Sequence, residues 1–208
     1  MSLLTQWGYT ITDAESLAEM LTVEEFNNIT ANKYAGDARI EPNIDAACAA
    51  IRNYCGWHVY PAQACSMTER LLAGNGRVKR AGADILIQLP ATFVSTPVTV
   101  TIDGVPFDDY DIEPNGILRL FDVGPMGRKA QITVTYTAGL SAGMMDSIKE
   151  LIAHRVTHAL ASSAGVQSES AGGVSVTYSA NWINSARSTA LPDDNKEVLA
   201  PYRVRGVF

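Results

Sequence analysis

The sequence predicts an α+β fold, a helical frame of about three to four helices into which an antiparallel β-rich block is inserted. Three observations predict it. Apolar residues recur at helical spacing over residues 22 to 60 and again from Asp146. Between Pro61 and Leu140 the period changes to strict alternation. Paired turn residues, above all Asp103-Gly104, punctuate that alternating region.

Residues 1 to 21 are of mixed character, and Asp13 to Leu21 predicts a short helix. Thr22-x-x-Glu25 is a capping box that opens a helix running to about Thr30. Asn32 to Arg39, with Gly36 and Asp37, reads as a loop. Pro42 sits in the first turn of the next helix, where its missing N–H costs nothing. In that helix Ile44, Ala47, Cys48, Ile51 and Cys55 line one face, and its alanines allow close approach of another backbone. Arg52 is expected on the outward side, and Gly56 supplies the stop.

Strands are expected at Ala64 to Leu72, Ile85 to Leu89, Val98 to Ile102, Ile117 to Phe121 and Gln131 to Tyr136. The turns Gly74-Asn75-Gly76, Asp103-Gly104, Pro114-Asn115-Gly116 and Gly124-Pro125 separate them. A meander closing into a small sandwich or barrel is the simplest outcome. The helical pattern resumes at Asp146 with Ile148, Leu151, Ile152, Arg155, Val156 and Ala159, and Gly165 ends it. Gln167 to Gly173 reads as flexible and polar, Val174 to Tyr178 as a strand, and Asp194 to Leu199 as a last helix capped by Asp193, with Pro201 beyond. The expected organisation is an N-terminal extension (1–21), a helical core (22–60 and 141–208) and the β-rich insertion (61–140).

Composition narrows the function. The 208 residues are 47% hydrophobic and carry a formal charge of -6, so the chain buries a core but lacks the cationic surface that drives non-specific nucleic-acid affinity. No segment approaches the roughly 18 apolar residues of a membrane span. The N-terminus has no basic region followed by an apolar run, so the chain is expected in the cytoplasm when made. Three cysteines cannot all pair; Cys48 and Cys55 lie roughly 10 Å apart on one helix, beyond disulfide reach. They read as buried thiols.

The string Ala46 to His58, Ala-Ala-Cys-Ala-Ala-Ile-Arg-Asn-Tyr-Cys-Gly-Trp-His, stands between Phe26-Asn27-Asn28-Ile29-Thr30 and Gly173-Val174-Ser175-Val176-Thr177-Tyr178. Leu199-Ala200-Pro201-Tyr202-Arg203 follows near the end. In this order the segments resemble the head–tail connector (adaptor) proteins of tailed bacteriophages, over most of residues 22 to 205. The first 21 residues match nothing in that pattern, and 61 to 140 is longer than in the compact, mainly helical members.

The resemblance implies a structural protein of the virion neck, made in the host bacterial cytoplasm. It implies a homo-oligomeric ring of about twelve copies whose repeated contact closes by rotation. The ring would contact the portal protein on one side and a head-closure or tail protein on the other, with DNA passing through without specific binding. Tyr202, Arg203, Val204, Arg205, Val207 and Phe208 form the docking segment expected on the portal, dispensable for folding. Ile44, Cys48, Ile51, Cys55 and Trp57 are the expected packing residues. Trp57 either anchors the β block on the helices or faces a neighbouring subunit.

No catalytic, cofactor or metal site is expected, and the chain is not read as an enzyme. His154 and His158 share a helical face, but the zinc-protease pattern and a third ligand are missing. Cys48, Cys55, Cys65 and His58 lack zinc-site spacing. Asp103, Asp108, Asp109, Asp111 and Glu113 read as a solvated hairpin face, because Pro106 and Pro114 interrupt them and no calcium loop is present. No nucleophile elbow or phosphate loop occurs, and Asn28-Ile29-Thr30 has no signal peptide to make it an acceptor. The alternatives are a hydrolase or ligand-binding module on the β block, or a related phage tail-completion protein.

Overall fold

The structure, a computed structural model, describes residues 2–71, 77–113, 115–124, 130–161, 168–171, 174–177 and 191–204. The expected turn at Gly74-Asn75-Gly76, the helix stop at Gly165, and Pro114, Pro125 and Tyr178 lie outside them. The fold is α+β, as the two periodicities require, and the chain forms two compact units. A β unit comprises Met1–Ala18, Cys55–Ser141 and Tyr202–Phe208; a helical unit comprises Glu19–Tyr54 and Ala142–Pro201.

In the helical unit α1 spans Val23–Ile29. Its capping box is formed as expected: the Thr22 hydroxyl accepts from Glu25 N–H at 3.2 Å, and the Glu25 carboxylate accepts from Thr22 N–H at 3.0 Å. α2 runs Ile40–Cys55, with Pro42 in its first turn. Ile44, Ala47, Cys48, Ile51 and Cys55 are all buried, so the expected face is the packed one. Arg52 is the correction. It is 8% exposed, because burial extends beyond the narrow stripe to Ala50 and Arg52.

α3 covers Asp146–Ala161 and α4 covers Asp193–Leu199. Lys149 on α3 donates to the Glu25 carboxylate at 2.5 Å, which ties α3 to α1 and holds Glu25 below the usual carboxylate range. The Tyr54 hydroxyl donates to Lys196 O at 3.2 Å, linking α2 to α4. The expected Asp193 cap is not made: Pro192 occupies that position, without a side-chain hydrogen bond. Ser168–Ala171, expected to be loose, pairs antiparallel with Val174–Thr177. Backbone pairing overrides the low strand propensity of Ser and Glu there.

The β unit holds two antiparallel sheets. We number its strands β1 (Ser2–Leu4), β2 (Thr10–Thr12), β3 (Gln63–Arg70), β4 (Val78–Ala81), β5 (Asp84–Gln88), β6 (Val94–Ile102), β7 (Val105–Pro106), β8 (Tyr110–Ile112), β9 (Ile117–Leu120) and β10 (Gln131–Ala138). The orders are β1-β2-β3-β10-β6-β7 and β4-β5-β9-β8. A simple meander is therefore not what forms: β3 and β10, far apart in sequence, pair along eight positions from Gln63↔Ala138 to Arg70↔Gln131.

Residues 13–21 form no helix, and the segment ahead of them forms strands, β2 adding to β3 through Thr10↔Ser66 and Ile11↔Cys65. β6 begins at Val94, ahead of the expected Val98, and includes Pro97. The register with β10 shifts between Thr135 and Thr137, and this irregularity accommodates a residue that cannot donate to the ladder. The Asp103-Gly104 hairpin forms as expected, with φ +50° and +81°. Alternation decides what is buried: Ile132, Val134, Tyr136 and Ala138 of β10 face inward.

Gly139 makes a requirement of the fold visible. At φ +138°, a Cβ placed there would lie 2.2 Å from Pro61 O and 2.5 Å from Ala62 Cα. Gly139→Ala is expected to cost on the order of 3 kcal/mol in urea unfolding, whereas Gly82→Ala, at φ +70° with open space around it, should cost about 1 kcal/mol. Equal losses at the two sites would contradict the close approach. Ile51→Asp should prevent folding or cost several kcal/mol, since a carboxylate would be buried without a partner. Arg52→Ala should cost about 1 to 2 kcal/mol through the lost packing of its buried side chain, measured by the same unfolding.

Candidate docking segment

A helix leaves its last carbonyls without intrahelical donors, and Gly56 ends α2 in the left-handed region at φ +80°. The Cys55 carbonyl is met by a distant residue: Val204 N–H donates to it at 2.9 Å. Glycine at 56 answers to its left-handed φ and not to crowding, since a Cβ there would make an ordinary contact 3.9 Å from Val204 Cβ. Trp57 is fully buried and its indole N–H donates to Tyr202 O at 2.6 Å. The Thr92 hydroxyl reaches the same carbonyl at 3.4 Å, and the Tyr202 ring lies 5.6 Å from that of Phe93.

Trp57 is thus an intramolecular anchor. The partner it binds is the C-terminal segment, where the sequence pointed to the helices or a neighbouring subunit. Of the expected docking residues, Tyr202, Arg203 and Val204 lie on this junction, Arg203 exposed and the other two half-buried. Arg205, Val207 and Phe208 lie outside the described residues. Among the expected packing residues, Cys55 and Trp57 meet this segment, and Ile44, Cys48 and Ile51 belong to the helical unit.

His58 follows Trp57 and is also fully buried. Its Nε2 lies 2.9 Å from Ala138 O and 3.0 Å from Pro61 O, both acceptors only, so Nε2 carries the proton. Nδ1 then accepts from the Tyr9 hydroxyl at 2.7 Å, while that oxygen accepts from His58 N–H at 3.0 Å. Both ring nitrogens are committed, which suits a structural histidine rather than a base or ligand. Val59, next in the chain, has φ +68°, and Tyr60 N–H donates to His58 O at 2.8 Å. That is the strained form of γ-turn, held in a β-branched residue by burial and by Leu140 N–H donating to Val59 O at 2.8 Å. Tyr9 was not among the residues the sequence singled out; an isolated tyrosine in a polar N-terminal stretch carries no sign of its distant partner.

The other candidates do not converge. Cys48, Cys55 and Cys65 are free and buried; burial pushes the Cys55 and Cys65 thiols up to about 12 and raises Cys48, leaving them protonated and unreactive. His154 and His158 bring their Nε2 atoms to 2.8 Å, one donating to the other. Burial, then the His154 charge, lowers His158. Among the described residues no group of three or more His, Cys, Asp or Glu side chains gathers for a metal ion, and no helix is long and apolar enough to cross a membrane. Asp103 accepts from Gln131 N–H at 2.8 Å and Asp111 from Ile112 N–H at 2.8 Å, which are turn and edge contacts.

Tyr9→Phe should lower stability by about 1 to 3 kcal/mol, because Nδ1 and the N–H of His58 both lose their buried partner. Urea unfolding measures it, and an unchanged midpoint would remove the hydrogen-bonded role given to Tyr9.

No curated protein matches the chain. A family model does, from residue 19 to residue 204, a span that takes in the Gly56-Trp57-His58 junction and the Tyr202–Val204 segment bound to it. The match leaves out the first 18 residues, which supply β1, β2 and Tyr9. Covering nearly nine-tenths of the sequence, it establishes that this chain belongs to the head completion protein family, structural components of the phage virion.

Proposed function

We propose that the protein is a head–tail connector that forms a ring beneath the portal, joins the capsid to head-closure or tail proteins, and leaves a channel for DNA. The family membership supports a place in the phage head, and the anchored C-terminal segment carries the finer reading. Tyr202 and Val204 are fixed by hydrogen bonds to Trp57, Thr92 and Cys55, so Arg205, Val207 and Phe208 follow directly on a point held by the subunit's own fold. Two arginines among apolar side chains suit a portal surface that offers carboxylates around an apolar patch.

The role is mechanical. A net charge of -6 suits a channel wall along which DNA slides, since a cationic wall would retain phosphates through counterion release. The two committed nitrogens of His58 and the protonated thiols support scaffolding over catalysis. Assembly would place the protein in the neck of the virion, after synthesis in the host cytoplasm.

Two truncations test the docking segment. Removing residues 205–208 should leave the melting temperature unchanged and abolish binding to the portal in co-sedimentation. Removing everything after Pro201 should also lower the melting temperature by several degrees, because Trp57 and the Cys55 carbonyl lose their partners. Undiminished portal binding by the chain ending at Val204 would rule out docking through Arg205, Val207 and Phe208.

A further inference from the structure

The four-stranded sheet has two edges of opposite character. Among the described residues it ends at β4 on one side and β8 on the other. β4 exposes Lys79 and Arg80. The Arg80 guanidinium is held by carbonyls of Gly82, Val123 and Gly124, none of which cancels its charge. The β8 edge exposes Asp108, Asp109, Asp111 and Glu113, and no cation lies between them in the chain.

The backbone is as asymmetric as the side chains. Gln88 N–H donates to Arg77 O, which fixes the pairing phase so that Val78 and Arg80 direct their own N–H and C=O groups off the sheet. On the far side, Phe121 N–H donates to Asp109 O and Glu113 N–H to Ile117 O, so Tyr110 and Ile112 are the outward residues. Their N–H groups are already taken, by Asp108 O at 3.1 Å and the Asp111 carboxylate at 2.8 Å. The β4 edge therefore offers donors beside cations, and the β8 edge offers only acceptors beside carboxylates.

We propose that β4 of one copy docks against β8 of the next, a head-to-tail contact that extends the four-stranded sheet from subunit to subunit. β4 against β4 would set cations together, and β8 against β8 would set carboxylates and carbonyl oxygens together. Only the unlike pairing sets cations beside carboxylates while giving the N–H groups of Val78 and Arg80 the carbonyls of Tyr110 and Ile112 as acceptors. Because the two edges lie on opposite sides of one sheet, the contact uses different surfaces on the two copies and repeats, as ring formation requires. The charges chiefly set partner choice and register, and their attraction is screened by salt. The inference rests on the ring reading above and names the surfaces that would build the ring.

Charge reversal on the full-length chain tests it, read as particle mass in solution, with and without the portal, at low and high salt. Lys79→Glu with Arg80→Glu makes both edges acidic; Asp109→Lys with Glu113→Lys adds cations to the acidic edge. Each variant alone should remain at subunit mass, with self-association weakened at least about tenfold. An equimolar mixture should regain assembly, because each altered edge then finds an unlike partner. Melting curves matching the unaltered chain confirm folding. Rings formed by either variant alone as readily as by the unaltered protein would overturn the β4–β8 contact while leaving the ring reading intact. An unaltered protein that stays at subunit mass under every condition, portal included, would overturn both.

Discussion

Three separate stretches of the β unit converge on His58, a buried imidazole that cannot be left unsatisfied. A neutral ring has one donor and one acceptor, and here each has a defined mate: carbonyls at Pro61 and Ala138 for Nε2–H, the Tyr9 hydroxyl for Nδ1. These partners come from the chain just past the histidine, from the end of β10 and from the loop before β2, so one side chain ties three separate stretches. Leaving a buried polar group without its mate costs about 1 to 3 kcal/mol, a large share of the roughly 5 to 15 kcal/mol that holds a domain folded. The strained turn at Val59 persists because its neighbours are fixed this firmly.

The elements that could be read in the sequence are those whose cause is local. The Thr22–Glu25 box, the buried face of α2, the Asp103-Gly104 hairpin and the alternation of β10 each follow from spacing within a few residues. Distant pairing is what escaped. β1 and β2 look like nothing in isolation, since three-residue strands carry no measurable period, and only the exposed edge of β3 makes them strands. A one-stripe helix places Arg52 outward; packing on a wider arc buries it.

The candidate site shows the same division. Gly56 and Trp57 marked a junction in the sequence, and the structure keeps them central. That the indole N–H would meet Tyr202 O, 145 residues later, is a fact of tertiary folding alone. The carbonyl of Cys55 makes the point from the other direction. Helix termini always need partners, but nothing local says that Val204 is the one.

The chain passes between its two units four times, at Ala18, Tyr54, Ser141 and Pro201. Each unit is therefore assembled from separated stretches of the chain, so neither corresponds to a continuous fragment. Contacts such as Tyr9 with His58 and Trp57 with Tyr202 give the β unit a high contact order, which slows its formation and keeps strand edges open for longer. Such a protein is prone to premature association while folding. The pre-occupied N–H groups of Tyr110 and Ile112 and the proline in β7 act as guards in that interval, so that the β8 edge admits only a strand that brings donors and cations of its own.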